Sequence, residues 1–246
     1  MQTALVCLKY DATRSVQLLA ADVYERVCRS DFSVPGYCLV SVETFGDSVA
    51  FRRLMVDLKN ELSEIHSPRV GKKLEYLSVG RFDQQVTTKF HLDGGPAECF
   101  LMLGYEPSAV GSRIQIADYS RCAHDLGLAP QEFLERHNPM FQEGFEILRP
   151  YIAEIPCFSN EQFQIVCINN SFAAYSSVDL SWQGVLHTAE ILTPDDVARR
   201  VINSTMIAPV EEGTQEIISG EKVLEFVRTS VVHRRGHDKG YLADDG

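Results

Sequence analysis

Basic residues are in short supply: 23 Lys and Arg stand against 34 Asp and Glu in 246 residues, a formal net charge of −11. Such a balance repels phosphate backbones and anionic lipid surfaces, so the sequence argues against a nucleic-acid or membrane partner. No run approaches the ~18 consecutive apolar residues of a spanning helix. The opening MQTALVCLKYDATRS has no basic n-region, and Lys9 and Asp11 break its apolar stretch, so it does not read as a secretory leader. CxxC spacing is absent as well. The seven cysteines (Cys7, Cys28, Cys38, Cys99, Cys122, Cys157 and Cys167) are odd in number and mostly have apolar neighbours. They are expected to be reduced thiols of a cytoplasmic protein, with neither a disulfide framework nor a zinc site. Internal repeats and low-complexity tracts are also missing.

What is present is the composition of a globular chain, 45% apolar and 23% charged. Residues 15–29 and 48–66 carry apolar side chains at helical spacing, Val16, Leu18, Leu19, Ala21, Val23 and Val27 in the first and Phe51, Leu54, Met55, Leu58, Leu62 and Ile65 in the second. Residues 37–42 form a short strand-like run between them. After Gly71 the texture changes to short β-type runs at 74–79, 86–93, 100–105, 113–119, 163–169, 185–191 and 199–207. A helical insert enters at Pro130 and stops at Pro150, and one helix is expected over 217–232 before a frayed tail. Helices first and many short strands afterwards predict one α+β domain, a sandwich or barrel with the helices packed on one outer face. The division expected is helical support over 1–70, a strand core over 74–207 with its insert at 130–150, a domain ending near 210, and a C-terminal helix and flexible tail over 211–246.

The most informative stretch is Val86-Thr87-Thr88-Lys89-Phe90-His91-Leu92-Asp93-Gly94-Gly95-Pro96. Strand side chains alternate, so Thr87, Lys89, His91 and Asp93 are predicted to share a face, with His91 and Asp93 about 6.5 to 7 Å apart. An imidazole and a carboxylate so placed can converge on one metal ion. The bland alternative is an amphipathic strand with its polar face in water, because 7 His among 34 acidic residues yield about one His-x-Asp/Glu by chance. Further along, Gly184-Val185-Leu186-His187-Thr188-Ala189-Glu190-Ile191 centres an isolated His on a strand-like run. Arg199-Arg200-Val201-Ile202-Asn203 follows twelve residues later.

That order, His-x-Asp, strands, His, Arg-headed strand, resembles the Fe(II)- and 2-oxoglutarate-dependent oxygenases over roughly residues 74–207. The resemblance implies a double-stranded β-helix, that is, a jelly-roll or cupin-like barrel, with His91, Asp93 and His187 holding Fe(II). It implies that a basic residue on the last strand grips the far carboxylate of 2-oxoglutarate, and the family's register favours Arg199 over Arg200. Tyr105 stands where some relatives place a tyrosine on that carboxylate, and Arg81 is a candidate grip for an anionic substrate. The sequence departs from the family at Val201, where relatives carry a serine-like residue, and in the 96 positions from His91 to His187 (187 − 91). An intact Asp93 implies oxygen insertion or desaturation; related halogenases carry a small residue there.

The activity implied is dioxygenase hydroxylation of a small molecule with Fe(II), 2-oxoglutarate and dioxygen, with ascorbate as a possible stimulant. A cupin-like isomerase or hydrolase keeping the triad, and a non-catalytic binding protein on the same barrel, stay open. His124 and His137 are rival distal ligands, His233 and His237 fall in the tail, and the excursion near 120–160 and the tail are candidate lids over the site.

Overall fold

The structure is a computed structural model describing residues 6–11, 13–43, 46–176 and 180–234. Among the described residues ten strands form two sheets: β1 (Cys7–Tyr10), β2 (Tyr37–Val42), β3 (Lys72–Asp83), β4 (Phe100–Tyr105), β5 (Gly111–Ala117), β6 (Ile152–Glu154), β7 (Phe163–Asn169), β8 (Leu186–Thr193), β9 (Val201–Glu211) and β10 (His233–Arg234). The large sheet runs β1-β2-β7-β4-β9-β3-β10, and the small one β6-β5-β8. Six α-helices accompany them: α1 (Val16–Val27), α2 (Ser48–Val70), α3 (Tyr119–Asp125), α4 (Pro130–Arg136), α5 (Gln142–Leu148) and α6 (Gly220–Arg228). The chain is a mixed α+β fold. Among the described residues no helix is long and apolar enough to cross a membrane.

Strand β4, FLMLGY, is buried along its whole length because both faces of the large sheet are covered. Phe100 and Met102 point to a core built with α1 and α2, where Leu19, Val23, Phe51, Leu54, Met55 and Leu58 pack. Leu101, Leu103 and Tyr105 point the other way, into a second core shared with Ile114, Ile116 and Ala189 of the small sheet. Helix α2 starts where the Asp47 carboxylate accepts from the Val49 and Ala50 backbone N–H groups, both at 2.8 Å. It runs through Pro68 and ends at Gly71, whose φ of 74° takes the left-handed cap.

The expected strand over 86–93 is not regular. His91 forms an isolated antiparallel bridge to His187, and the Thr88 N–H donates to the Ala189 carbonyl at 2.9 Å, but no continuous ladder forms. The threonines explain the gap, since Thr87 Oγ1 and Thr88 Oγ1 accept the Ile191 and Ala189 N–H groups that ladder carbonyls would otherwise take. The insert also differs: α4 and α5 are separate, broken across His137-Asn138-Pro139, where Pro139 has no N–H to continue a helix. The C-terminal helix is shorter than expected, capped by Ser219 and ending at Arg228, and His237 lies outside the described residues.

The reading of all seven cysteines as reduced thiols is corrected. Cys7 and Cys157, 150 residues apart, form a disulfide with their Cα atoms 6.4 Å apart. β1 lies parallel to β2 at the sheet edge, and that tertiary placement, invisible in the spacing, brings Cys7 to the chain after β6. Cys28, Cys38, Cys99, Cys122 and Cys167 are free.

Candidate metal centre

Two backbone hydrogen bonds, His91 N to His187 O and the reverse, both 3.2 Å, hold the irregular segment against β8. They set the two imidazole rings 4.4 Å apart. Two residues on, Asp93 Oδ1 lies 3.7 Å from His91 Nε2. Ligand atoms of His91, Asp93 and His187 all fall within 4.8 Å of one another, so the structure brings together three side chains separated by up to 96 positions (187 − 91).

The chemistry of the three groups matches a metal-binding role. His91 Nδ1 donates to the Lys89 carbonyl at 2.7 Å, which leaves Nε2 with its lone pair on the Asp93 side. His187 is only 6% exposed, and its Nδ1 is buried with no hydrogen-bond partner among the described residues. Burial, reinforced by the neighbouring His91 and opposed by Asp93, pushes the His187 imidazole down to about 4. It is therefore neutral at ordinary pH, the form that ligates. Two imidazoles and one carboxylate are the donor set of facial Fe(II) sites.

Side-chain alternation does not survive the irregular backbone. Thr88 shares the cleft with His91 and Asp93. Lys89 turns outward and donates to the Met140 carbonyl at 2.6 Å, and Thr87 lines the outer groove instead.

The cation at the cleft is Arg200, which corrects the preference for Arg199. Arg200, immediately before β9, and the even β9 positions Ile202 and Ser204 line the cleft with Phe82, Gln84, Leu103 and Tyr105. Arg199 has the opposite parity, and its side chain is exposed. Arg200 is 2% exposed. Its backbone N–H donates to Asp83 Oδ1, its Nε to Ser112 Oγ at 2.9 Å and its Nη1 to the Gln84 carbonyl at 3.2 Å. The guanidinium sits 4.9 Å from the Tyr105 ring centroid. Its Nη2 is buried without a partner, and no carboxylate among the described residues lies within ion-pair distance of it. A buried guanidinium in that condition is a site for an anion.

Arg81 does not face the cleft. A bulge in β3 between Tyr76 and Ser78 shifts the register by one, so Leu74 and Tyr76 before it and Arg81 after it lie on the helix side. There Arg81 forks onto Glu106 at 2.9 and 3.0 Å and reaches Ser48 Oγ at 3.1 Å. His124 packs against the Phe32 and Tyr175 rings and His137 against Phe133, so neither joins the triad. His233 is exposed on β10. The expected lid is not in place either: among the described residues none from 118 to 160 lines the cleft, and α5 instead borders a groove of about 460 Å³ on the outer side of β8. Sequence reasoning missed Gln84, Ser112 and Ser204. Each is a common polar residue, Ser112 and Ser204 on strands and Gln84 just past the end of β3, and no spacing signal marks it.

No family model matches the sequence, and no curated protein matches it. Among solved structures the chain is similar to a taurine dioxygenase from Burkholderia xenovorans, at 11% identity over 89% of this chain and 94% of that one, with a TM-score of 0.43. It is also similar to the iron and alpha-ketoglutarate-dependent endoperoxidase NvfI, at 12% identity over 76% of this chain and 82% of that one, with a TM-score of 0.36.

Proposed function

We propose that this chain is an Fe(II)- and 2-oxoglutarate-dependent oxygenase of the double-stranded β-helix type, acting on a small organic substrate. The observation that carries the reading is the buried Arg200 guanidinium, which meets no carboxylate at ion-pair distance among the described residues and opens onto the same cleft as His91, Asp93 and His187. A metal-dependent isomerase or hydrolase on such a scaffold needs the three ligands but has no use for an unneutralised guanidinium beside them.

In this reading His91 Nε2, an oxygen of Asp93 and a ring nitrogen of His187 would hold ferrous iron. Bound together, Fe(II) and 2-oxoglutarate couple decarboxylation of the keto acid to succinate with oxidation of a substrate C–H bond by dioxygen. The protein's own part is binding and orientation. Arg200 Nη2 is the donor free to meet the far carboxylate of 2-oxoglutarate, and charge-assisted bonds of this kind are short and directional. Ser112 Oγ and the Gln84 carbonyl hold the guanidinium plane, and the Tyr105 ring supports it from one side. Leu103, Ala189 and Ile202 keep the surrounding wall apolar, which strengthens each polar contact inside it.

The test is anaerobic binding of 2-oxoglutarate to the Fe(II)-loaded protein, with succinate release in air as the second readout. Arg200→Ala is expected to weaken 2-oxoglutarate at least tenfold, while Arg199→Ala stays near wild type. His187→Ala and Asp93→Ala are expected to abolish metal retention and succinate release. Wild-type affinity in Arg200→Ala would sink the cosubstrate assignment and favour the isomerase or hydrolase.

A further inference from the structure

Resting on the metal reading above, we infer that Asn170 is a positioning residue for the metal centre: its carboxamide holds the Asp93 backbone in ligating position. His91 and His187 are secured by their mutual backbone pair, but Asp93 lies two residues beyond the last paired position and is followed by Gly94 and Gly95. Both glycines are exposed and bring no side chain that could anchor the turn. A carboxylate on such a stretch must be fixed from elsewhere, because ordering an otherwise unanchored backbone costs conformational entropy.

Asn170 does this from the large sheet. It follows the last residue of β7 and is 1% exposed. Its Oδ1 accepts the Asp93 N–H at 3.0 Å, and its Nδ2 donates to the Asp93 carbonyl at 2.8 Å. A planar amide carries an acceptor atom and a donor atom side by side, so Asn closes both bonds at once; an ionised carboxylate, which only accepts, cannot. Asn170 is itself tied down, its N–H donating to the Cys99 carbonyl at 2.9 Å and its Nδ2 lying 3.3 Å from Cys99 Sγ. The site thus joins two sheets: β8 of the small sheet carries His187 and pairs with His91, whereas Asp93 is bound through Asn170 to the end of β7 beside β4.

Asn170→Leu keeps the volume and removes both bonds. Asn169→Leu is the matched control, since Asn169 is equally buried but bonds none of the three ligands: its Nδ2 donates to the Val27 carbonyl at 2.9 Å and its Oδ1 accepts from the Ser171 N–H at 3.3 Å. The full chain, freed of metal, is titrated with Co(II) alone, following affinity and the visible ligand-field spectrum together with the thermal midpoint of each apo protein. Asn170→Leu is expected to weaken Co(II) at least tenfold, the range typical of residues that orient metal ligands, and to alter the spectrum. Asn169→Leu is expected to lower the midpoint while leaving Co(II) affinity and spectrum as in wild type. Equal Co(II) affinity in Asn170→Leu and wild type, or equal losses in both variants, would overturn the inference. Should Asn170→Leu not fold, hydrogen exchange of the Asp93 amide in wild-type apo protein decides: protection supports the clamp, and exchange at the rate of an open loop overturns it. A wild-type protein that binds no Co(II) removes the metal reading itself, and the inference with it.

Discussion

Arg199 and Arg200 are neighbours with the same chemistry, and the side of the strand each falls on separates them. Arg200 is fixed by Ser112 and Gln84 with its Nη2 nitrogen left over, so the energetic weight of the site's positive charge rests on that residue. Arg200→Lys is a sharper probe than alanine, because an ammonium keeps the charge but loses the planar fork. It is expected to retain part of the 2-oxoglutarate affinity and to raise its dissociation rate, measured by stopped-flow displacement. His66 offers a second residue-scale prediction, independent of the metal site. Its Nδ1 lies 2.8 Å from the Tyr24 hydroxyl, and burial, helped by Lys72 and Arg69, pushes its imidazole down to about 4. The unfolded chain takes up that proton near the ordinary value of about 6.5, whereas the folded chain resists it to about 4. Stability from this group is therefore intact above 6.5 and lost progressively as pH falls from 6.5 towards 4, by at most about 1.4 kcal/mol per pH unit. Urea midpoints from pH 7.5 to 4.5 are expected to fall less steeply in His66→Leu than in wild type.

At the scale of elements, position along a strand assigns function only where the strand is regular. β9 is regular through its cleft-facing end, so its parity places Arg200, Ile202 and Ser204 together. β3 contains a bulge, and Arg81 consequently serves the helix face, where it pairs with Glu106. The segment 84–93 uses threonine hydroxyls in place of ladder carbonyls, so Thr88 rather than Lys89 accompanies His91. The turn into β8 has its own constraint: a Cβ on Gly184 would land on the carbonyl oxygen and backbone nitrogen of Ser171, groups that cannot swing aside. Gly184→Ala is expected to cost about 1–3 kcal/mol, as overpacking against fixed backbone does. Because β8 carries His187, Co(II) affinity is expected to fall along with the thermal midpoint. A stable variant with unchanged metal affinity would count against this close packing.

The whole molecule is two sheets with a shared core, helices α1 and α2 on the far face of the larger one, and a covalent tie from β1 to the chain after β6. Closing a span of 150 residues restricts the unfolded chain, so losing the Cys7–Cys157 bond is expected to lower stability by about 2–4 kcal/mol. Thermal melts with and without reductant test this, with Cys7→Ser matching the reduced wild type and insensitive to reductant. Local pattern and chemistry were enough to read the α+β character, strands such as Tyr37–Val42, Phe100–Tyr105 and Phe163–Asn169, and the His91/Asp93 pair, because those depend on periodicity and on residue type within a few positions. Tertiary structure alone decided that Arg200 faces the cleft and Arg81 does not, that Asn170 grips Asp93, and that Cys7 meets Cys157. Each of these depends on a bulge, an irregular backbone or the approach of distant strands, and a one-residue register shift that turns a side chain to the opposite face leaves no trace in composition or spacing.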